Sequence, residues 1–356
     1  MVALMNLRKD ILGKVSRIVI KLGTGLLTDA QNRLSLPQIE QIVAQFAALH
    51  AAKKQIIVVT SGAIGAGMAE LGIKQRPKRL DELQAAAAIG QSKLMAIYDR
   101  LFGNSGITVA QVLLTHDDLQ NRTRHLNAHN TLATLLARGA VPIINENDTV
   151  AVDEIKFGDN DRLGALTATL IDADLLIILS HVEGLLDEQK RVVATVSEIR
   201  EVESLARGTD RLTSVGGMKS KIEAAKIATR AGIPLVIANG NRANVVRDVL
   251  AGEEVGTIFL PHADKLASRK RWIAFFQHPA GKLVVDDGAK QALCANAKSL
   301  LAKGIVSTEG TFAEGDVVSI CDKNQVEFAR GLAKVDGILI KSATGVVIHR
   351  DDMVIL

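Results

Sequence analysis

Short apolar runs alternate with longer segments in which apolar residues recur every three or four positions, up to about residue 261. Runs such as Gln55–Val59 (QIIVV) predict buried strands, whereas residues 37–53 carry apolar side chains at helical spacing. Strands alternating with helices are typical of βαβ units and of a mainly parallel sheet covered on both faces. The predicted strands are 15–21, 55–59, 107–114, 141–144, 175–179 and 234–238, and the predicted helices are 37–53, 81–102, 122–137, 161–171, 218–230 and 244–250.

The pattern changes near residue 262, where a basic and polar stretch follows. Beyond it lie short apolar runs separated by turn residues, with one helical stretch at 287–301, and these predict a small, mostly β, barrel-like domain. The runs predicted as strands are KLVVDD, GIVSTEG, GDVVSICD, EFARGLA, GILIKS and GVVIHRDDMVIL. We therefore expect an α/β domain at 1–261, a basic linker at 262–280 and a mostly β domain at 281–356.

Length and composition narrow the class of protein. The chain has 356 residues, more than the ~250–300 at which one core stops growing, and its 47% hydrophobic residues exclude a disordered chain. Only 3% are aromatic, which argues against a protein that binds single-stranded nucleic acid by stacking. The two cysteines, Cys294 and Cys321, lack metal-ligand spacing; one disulfide is possible, but two free buried thiols are expected. No apolar run is long enough for a membrane span. A cytoplasmic protein without membrane contact is expected.

Two glycine-containing motifs directly follow predicted strands. Lys21-Leu-Gly-Thr-Gly has a lysine at a strand end and Gly23 two residues later, which suits close backbone approach to phosphate oxygens. Thr60-Ser-Gly-Ala follows QIIVV and opens a helix, so that Ser61, Gly62 and free N–H groups form a cradle for a carboxylate or phosphate. Each motif alone is also compatible with an ordinary turn or helix start.

Two further segments carry charge at strand or helix ends. Asn145-Glu-Asn-Asp148 follows a predicted buried strand, and Phe157-Gly-Asp-Asn-Asp161 precedes a helix. Carboxylates and amides at this density suit an ammonium group, a magnesium ion or lysines that need orientation. Ser214-Val-Gly-Gly-Met-Lys-Ser-Lys221 opens another helix with two glycines and two lysines, which suits phosphate binding at a helix N-terminus.

We expect these four segments to lie at the ends of different strands of one predicted sheet. Lysines directed at phosphate, an acidic loop and no nucleophile–base pair fit phosphoryl transfer, which needs positioning and charge neutralisation more than covalent catalysis.

The motifs also resemble a known family. VIKLGTG, VVTSGAIGAG, AAIGQSKLM, PIINENDTV, EIKFGDNDRLGAL, GGMKSK and GVVIHRDDM are similar to segments of the glutamate 5-kinases, in the amino-acid kinase superfamily, which carry a C-terminal PUA domain. The resemblance spans essentially the whole chain. It implies a three-layer α/β sandwich and transfer of phosphate from ATP, with Mg²⁺, to the γ-carboxylate of L-glutamate, the first step of proline biosynthesis. It also implies feedback inhibition by proline and homo-oligomerisation.

The resemblance implies roles for particular residues. Lys21 and Lys221 would neutralise the transferring phosphoryl group, and Asp161 would hold both lysines. The residues implied in glutamate binding are Ser61, Gly62, Asp148 and Asn160, with Asp159 and Lys156 of the same loop as second choices. Those implied in nucleotide binding are Lys21, Gly23, Ser180, His181, Val215, Gly216, Gly217, Met218, Lys219, Ser220 and Lys221. No residue is expected to bind a metal directly.

This sequence departs from the family pattern mainly on the nucleotide side. Ser180-His181 stands where the family usually has Thr-Asp or Ser-Asp, and Val215 replaces a frequent threonine. The segment between them is shorter than in some members. Both lysines and the acidic loop are intact, so an active enzyme is expected.

Two other functions are compatible with the residues alone. One is a sister kinase of the same fold with another carboxylate or phosphate acceptor. The other is an RNA-binding protein that uses the PUA-like tail. Charge argues against the second, because residues 281–356 hold nine Lys and Arg but ten Asp and Glu, and RNA binding by phosphate neutralisation needs a basic surface.

Overall fold

A computed structural model describes residues 2–29, 33–151, 160–208, 217–262 and 268–356. The chain divides into two compact units, Met1–Lys265 and Leu266–Leu356. Within the described residues, no helix is both long and apolar enough to cross a membrane.

The first unit is built on an eight-stranded sheet in the order β3-β4-β2-β1-β5-β7-β8-β6. All neighbouring strands are parallel except β7 and β8, so the mainly parallel sheet is confirmed. The strands are β1 (Arg17–Leu22), β2 (Gln55–Val59), β3 (Val109–Leu114), β4 (Val141–Glu146), β5 (Leu175–Ser180), β6 (Thr195–Val196), β7 (Leu235–Asn239) and β8 (Thr257–Phe259). The short strands β6 and β8 were not predicted from the sequence.

Helices cover both faces of this sheet. They are α1 (Val2–Leu12), α2 (Thr24–Leu27), α3 (Leu36–Ala51), α4 (Ala63–Glu70), α5 (Leu80–Gly103), α6 (His116–Gln120), α7 (Arg122–Ala137), α8 (Asn160–Leu170), α9 (Met218–Arg230) and α10 (Val245–Leu250), with 3₁₀ turns at Ile199–Glu201 and Glu203–Gly208. Alternate residues of β1, such as Ile18 and Ile20, are fully buried in one core with apolar residues of α3, α5 and α10. Helix α8 packs on the other face, where Gly164 lies close to Lys21 and Leu176. Alternation along β1 therefore directs Lys21 to the side of α8.

The second unit is mostly β, as predicted. A five-stranded sheet runs in the order β11-β9-β12-β13-β15, and β10 pairs with β14 in a separate ribbon. One apolar core, which includes Leu283, Phe312 and Ile320, joins these strands. The elements are α11 (Ser268–Arg271), a π-helical turn (Trp272–Phe276), β9 (Gly281–Val285), α12 (Asp287–Asn296), β10 (Leu300–Leu301), β11 (Ile305–Gly310), β12 (Val317–Cys321), β13 (Glu327–Leu332), β14 (Val346–Ile348) and β15 (Met353–Ile355), with 3₁₀ turns at Ala302–Gly304, Gly337–Ser342 and Arg350–Asp352. Both cysteines are free thiols, as expected, but only Cys321 is buried. The expectation that Cys294 is also buried was wrong, because this residue lies exposed on α12.

Two local predictions of secondary structure in this unit were wrong. GILIKS forms a 3₁₀ turn. Of its apolar residues only Ile340 is buried, while Ile338 is 84% exposed, so buried and exposed side chains do not alternate as they would along a strand. The helix predicted at 287–301 ends at Asn296, since Ala297 adopts a left-handed conformation and Leu300 pairs with Ile348. Within the predicted linker, Trp272–Phe276 is helical and four of its five residues are buried.

Candidate active site

Four parallel strands of the first unit end at the same edge of the sheet. Lys21 of β1 lies opposite Val59 of β2 and Ile178 of β5, and Val59 in turn lies opposite Ile144 of β4. The residues that follow these positions therefore meet at one edge, although they are far apart in sequence. This register brings together the predicted site residues at or just after the ends of β1, β2, β4 and β5, among them Gly23, Ser61 and Ser180.

Asp161 is at the centre of this edge. It lies in the first turn of α8 and is fully buried. Its Oδ1 is 2.7 Å from the Nζ of Lys21, and its Oδ2 is 2.9 Å from the Nζ of Lys221. The side chains of the two lysines are only 9% and 6% exposed. One buried carboxylate thus holds two ammonium groups in fixed positions, the arrangement expected from the sequence.

The charges of the lysines decide the ionisation of Asp161. Burial by itself would raise the pKa of this carboxyl, but the nearby charges and hydrogen bonds of Lys21 and Lys221 lower it to about 2. Asp161 is therefore ionised at neutral pH. Two ammonium groups and one carboxylate leave one net positive charge in a nearly dry site, which attracts an anionic group.

Ser220 lies on the first turn of α9 and contacts the same carboxylate. Its hydroxyl oxygen is 2.8 Å from Asp161 Oδ2 and 2.9 Å from the carbonyl oxygen of Gly217. The family resemblance implies that Ser220 binds the nucleotide, and this role stays a prediction; among the described residues its hydroxyl contacts protein atoms. The residue just before α9 is Gly217, and no described side chain caps the start of this helix. The first N–H groups of α9 therefore suit an anion.

Replacing Ser220 by alanine is expected to lower kcat by about tenfold, because Asp161 then loses the hydroxyl that steadies its Oδ2. Ser220→Thr keeps the hydroxyl and should restore most of the activity. Steady-state kinetics with glutamate and ATP varied separately, together with thermal unfolding, provide the measurement. A kcat equal to that of the wild type in Ser220→Ala would show that the contact has no catalytic consequence.

A cluster of amides lies beside the charged group. The Nδ2 of Asn160 lies within hydrogen-bonding distance of three acceptors, at 2.6 Å from Thr60 O, 3.0 Å from Ser61 Oγ and 2.9 Å from Asn145 Oδ1. Asn160 begins α8, Ser61 follows β2, and Asn145 is in β4. The cluster therefore joins three elements of the fold at the edge where Asp161 lies.

Gly62 completes this cluster. Its φ of +95° is in the left-handed region, which favours glycine, and it lets the chain turn from Ser61 directly into α4. No described side chain caps this helix start. Its free N–H groups beside Ser61 suit a carboxylate of a small substrate.

The loops after β1 and β5 lie next to each other. The N–H of Gly23 donates to Leu179 O at 3.0 Å, and the N–H of Gly240 donates to Ser180 O at 2.8 Å. A Cβ placed on Gly23 would be 3.8 Å from Ser180 Oγ, so these two predicted nucleotide contacts are neighbours. Ser180 is buried, whereas His181 is exposed.

The remaining predicted residues are placed only in part. Asp148 is half-buried in the turn after β4, and Met218 is buried while Lys219 is exposed at the start of α9. Asp159, Lys156, Val215 and Gly216 lie outside the described residues. The roles of all these residues stay predictions.

Sequence reasoning missed three residues of the amide cluster. Thr60 supplies its backbone carbonyl oxygen and Asn145 its carboxamide oxygen as acceptors for Asn160. Gln91 of α5 accepts a hydrogen bond from Asn145. Asn145 stood in a motif already singled out, at a strand end. Gln91 had a weaker signal, a single polar residue on the buried face of an alanine-rich helix.

Two buried lysines on one aspartate, an uncapped helix start and an amide cluster at the edge of a parallel sheet define a class of enzymes that bind phosphate and transfer it. Comparison with known proteins agrees with this class. The model of the amino acid kinase family matches residues 16–239, and the model of the PUA domain matches residues 281–350.

Curated relatives are similar along almost the whole chain. The glutamate 5-kinase of Moorella thermoacetica is 44% identical, with 97% of each chain covered. That of Geobacter sulfurreducens is 45% identical over 98% of this chain and 100% of its own. Among solved structures, N-acetylglutamate synthase from Neisseria gonorrhoeae has a TM-score of 0.53 at 13% identity, over 74% of this chain and 64% of its own, which shows the fold alone. The chain therefore belongs to the amino acid kinase family and, within it, to the glutamate 5-kinases.

Proposed function

We propose that this protein transfers the γ-phosphoryl group of ATP to the γ-carboxylate of L-glutamate, giving L-glutamyl 5-phosphate and ADP in the first step of proline biosynthesis. The observation that carries the mechanism is the pair of lysines held by Asp161 beside the amide cluster of Asn160, Ser61 and Asn145. The similarity to glutamate 5-kinases supports the choice of substrate.

The chemistry requires charge neutralisation rather than a general base. A carboxylate with an ordinary pKa near 4.3 is already ionised at neutral pH, so the γ-carboxylate attacks the phosphorus directly. Negative charge spreads over the oxygens of the transferring phosphoryl group. In this proposal the ammonium groups of Lys21 and Lys221, which Asp161 holds, and the N–H groups at the start of α9 stabilise that charge.

The amide cluster and Asp148 serve the amino acid. Asp148 and the Oδ1 of Asn160 suit the substrate ammonium, and Ser61 and Gly62 suit its carboxylate. Mg²⁺ enters with the nucleotide as MgATP, because this ion keeps several waters and binds largely through substrate phosphates. Ser180, Gly23 and the start of α9 line the nucleotide side in this proposal.

The function is tested by measuring ADP release with glutamate, N-acetylglutamate, aspartate and UMP, each with hydroxylamine present to trap an acyl phosphate as a hydroxamate. We expect glutamate to give both ADP and hydroxamate at the highest kcat/KM. Activity with the other three acceptors but not with glutamate would assign the protein to a sister kinase.

Asp148→Asn should raise the KM for glutamate about ten- to a hundredfold through loss of the ammonium contact, with exposed Asp117→Asn as the control.

Proline sensitivity and self-association are further parts of the proposal. Proline carries the same α-carboxylate and an ammonium group, so competition with glutamate around Asp148 is chemically reasonable. The same assay with added proline should show a raised apparent KM for glutamate, and light scattering should show a mass above that of one chain. Inhibition that leaves this KM unchanged, or a monomeric mass, would contradict these parts.

The charge distribution of the second unit supports the prediction that it does not bind RNA by phosphate neutralisation. Several of its basic side chains are paired with acidic ones, among them Lys290 with Asp322 and Lys323 with Asp287. Such pairs reduce the positive potential that RNA phosphates require. A salt-sensitive mobility shift with structured RNA at micromolar protein would contradict this prediction.

A further inference from the structure

Gln91 lies in α5, outside the set of residues predicted to form the site. It is 8% exposed, although the helix around it is rich in alanine. The preceding Gly90 lets α5 approach the start of α4 so closely that a Cβ there would be 1.8 Å from the carbonyl oxygen of Ala63. This close packing places Gln91 next to the loop that carries Ser61 and Gly62.

The carboxamide of Gln91 sets the orientation of the next amide. Its Oε1 accepts a hydrogen bond of 2.8 Å from Asn145 Nδ2. The Oδ1 of Asn145 consequently faces the other way, where it accepts from Asn160 Nδ2 at 2.9 Å and from the N–H of Glu146 at 3.0 Å. Each side-chain amide in this series of hydrogen bonds fixes which end of its neighbour donates and which accepts.

The last amide in this series of hydrogen bonds is that of Asn160, a predicted glutamate contact. Its Nδ2 is directed at Thr60, Ser61 and Asn145, so its Oδ1 is left in the role of an acceptor. An acceptor oxygen at this place suits the ammonium group of an amino acid. If Gln91 could not accept from Asn145, the Asn145 amide would be free to rotate and to present a donor to Asn160.

The nitrogen end of the Gln91 carboxamide differs from its oxygen end. Its Nε2 is buried and has no hydrogen-bond partner among the described residues. Buried polar groups are normally paired, and an unpaired donor lowers stability. The side-chain hydrogen bond that Gln91 makes is therefore the one through its Oε1 to Asn145, which leads into the amide cluster.

We propose that Gln91 is a positioning residue that, through Asn145, fixes the polarity of the Asn160 amide and thereby the affinity for the amino-acid substrate. This inference rests on the proposed function, because it assigns Gln91 to the glutamate half of that site. It places the effect on substrate binding and not on the transfer of the phosphoryl group.

The test compares Gln91→Met, which keeps the size but removes the acceptor, with Gln91→Glu, which keeps an acceptor oxygen for Asn145. Gln91→Met should raise the KM for glutamate tenfold or more, while kcat and the KM for ATP stay within about twofold of the wild type. Gln91→Glu should restore most of the affinity. Ser92→Ala, at the exposed neighbouring position, is the control. If Gln91→Met does not fold, Gln91→Asn, whose shorter amide does not reach Asn145, should show the same rise in KM.

A double-variant comparison separates positioning from general damage. In an Asn145→Ala background, Gln91→Met should have no further effect on the KM for glutamate, since the connection is already broken. Equal multiplicative effects in both backgrounds would overturn the proposal, as would an unchanged KM in Gln91→Met. A wild-type protein without glutamate-dependent turnover would instead refute the proposed function itself, so the two failures are distinguishable.

Discussion

Replacement of Lys221 by methionine is expected to lower kcat by about 10²–10³-fold with little change in the KM for glutamate. Methionine keeps the length of the side chain but removes the ammonium group that lies 2.9 Å from Asp161 Oδ2. A preorganised charge in a site from which water is largely excluded stabilises the transition state by several kcal/mol, which corresponds to a loss of this size. Steady-state kinetics with each substrate varied in turn provide the measurement.

Lys226→Met is the matched control for this variant. Lys226 lies on the same helix, but it is one-third exposed and pairs with Glu203 and Glu223, away from Asp161. We expect its kcat to remain within about twofold of the wild type. If Lys221→Met retained more than a third of the wild-type kcat, the assignment of Lys221 to charge neutralisation would be refuted.

Replacement of Asp161 by asparagine is expected to remove activity and to lower the free energy of unfolding by about 3–5 kcal/mol, because two buried ammonium groups lose the carboxylate that both of them contact. Denaturant unfolding at neutral pH gives the difference. The triple variant Lys21→Met, Asp161→Leu, Lys221→Met removes all three charges. It should recover much of this stability and none of the activity, which separates the electrostatic function from the fold.

The stability contributed by Asp161 also depends on pH in a defined direction. Its pKa in the folded protein, about 2, lies below the ordinary value of 3.8. Its contribution is therefore complete above about pH 4 and is lost as the pH falls towards 2. The difference in unfolding free energy between the wild type and Asp161→Asn should shrink over this range. A difference that is constant between pH 5 and pH 2 would show that the ion pairs do not carry the stability.

Much of the fold was predictable because each element has a local signature. The six strands predicted in the first unit are present, since buried parallel strands are continuous apolar runs such as QIIVV. GILIKS shows the limit of this reasoning. Its apolar residues favour a strand, but only Ile340 reaches the core, and that depends on where Phe312 and the neighbouring strands lie.

The site was predictable where a motif lay directly at a strand or helix end. Lys21, Ser61 and Asp161 were found in this way. Gln91 was not found, and Asn145 was singled out only as part of a motif, because a glutamine in a helix and an asparagine at a strand end are common. Their contact of 2.8 Å with each other, and that of 2.9 Å between Asn145 and Asn160, arise only in the folded chain. The use of Ser220 was likewise hidden, since its motif suited a phosphate equally well.

The amino-acid sequence by itself determined the class of fold, the loops that carry the chemistry and the residue types available for it. These properties follow from periodicity and from the preferences of short segments, which depend on near neighbours in the chain. That Asp161 holds Lys21 and Lys221 was expected from the family resemblance. Only the tertiary structure decided that Ser220 is directed at the same carboxylate and that Asn145 donates to Gln91. Such pairings depend on strand order, on register and on how closely helices approach, and these are set by the packing of segments distant in sequence.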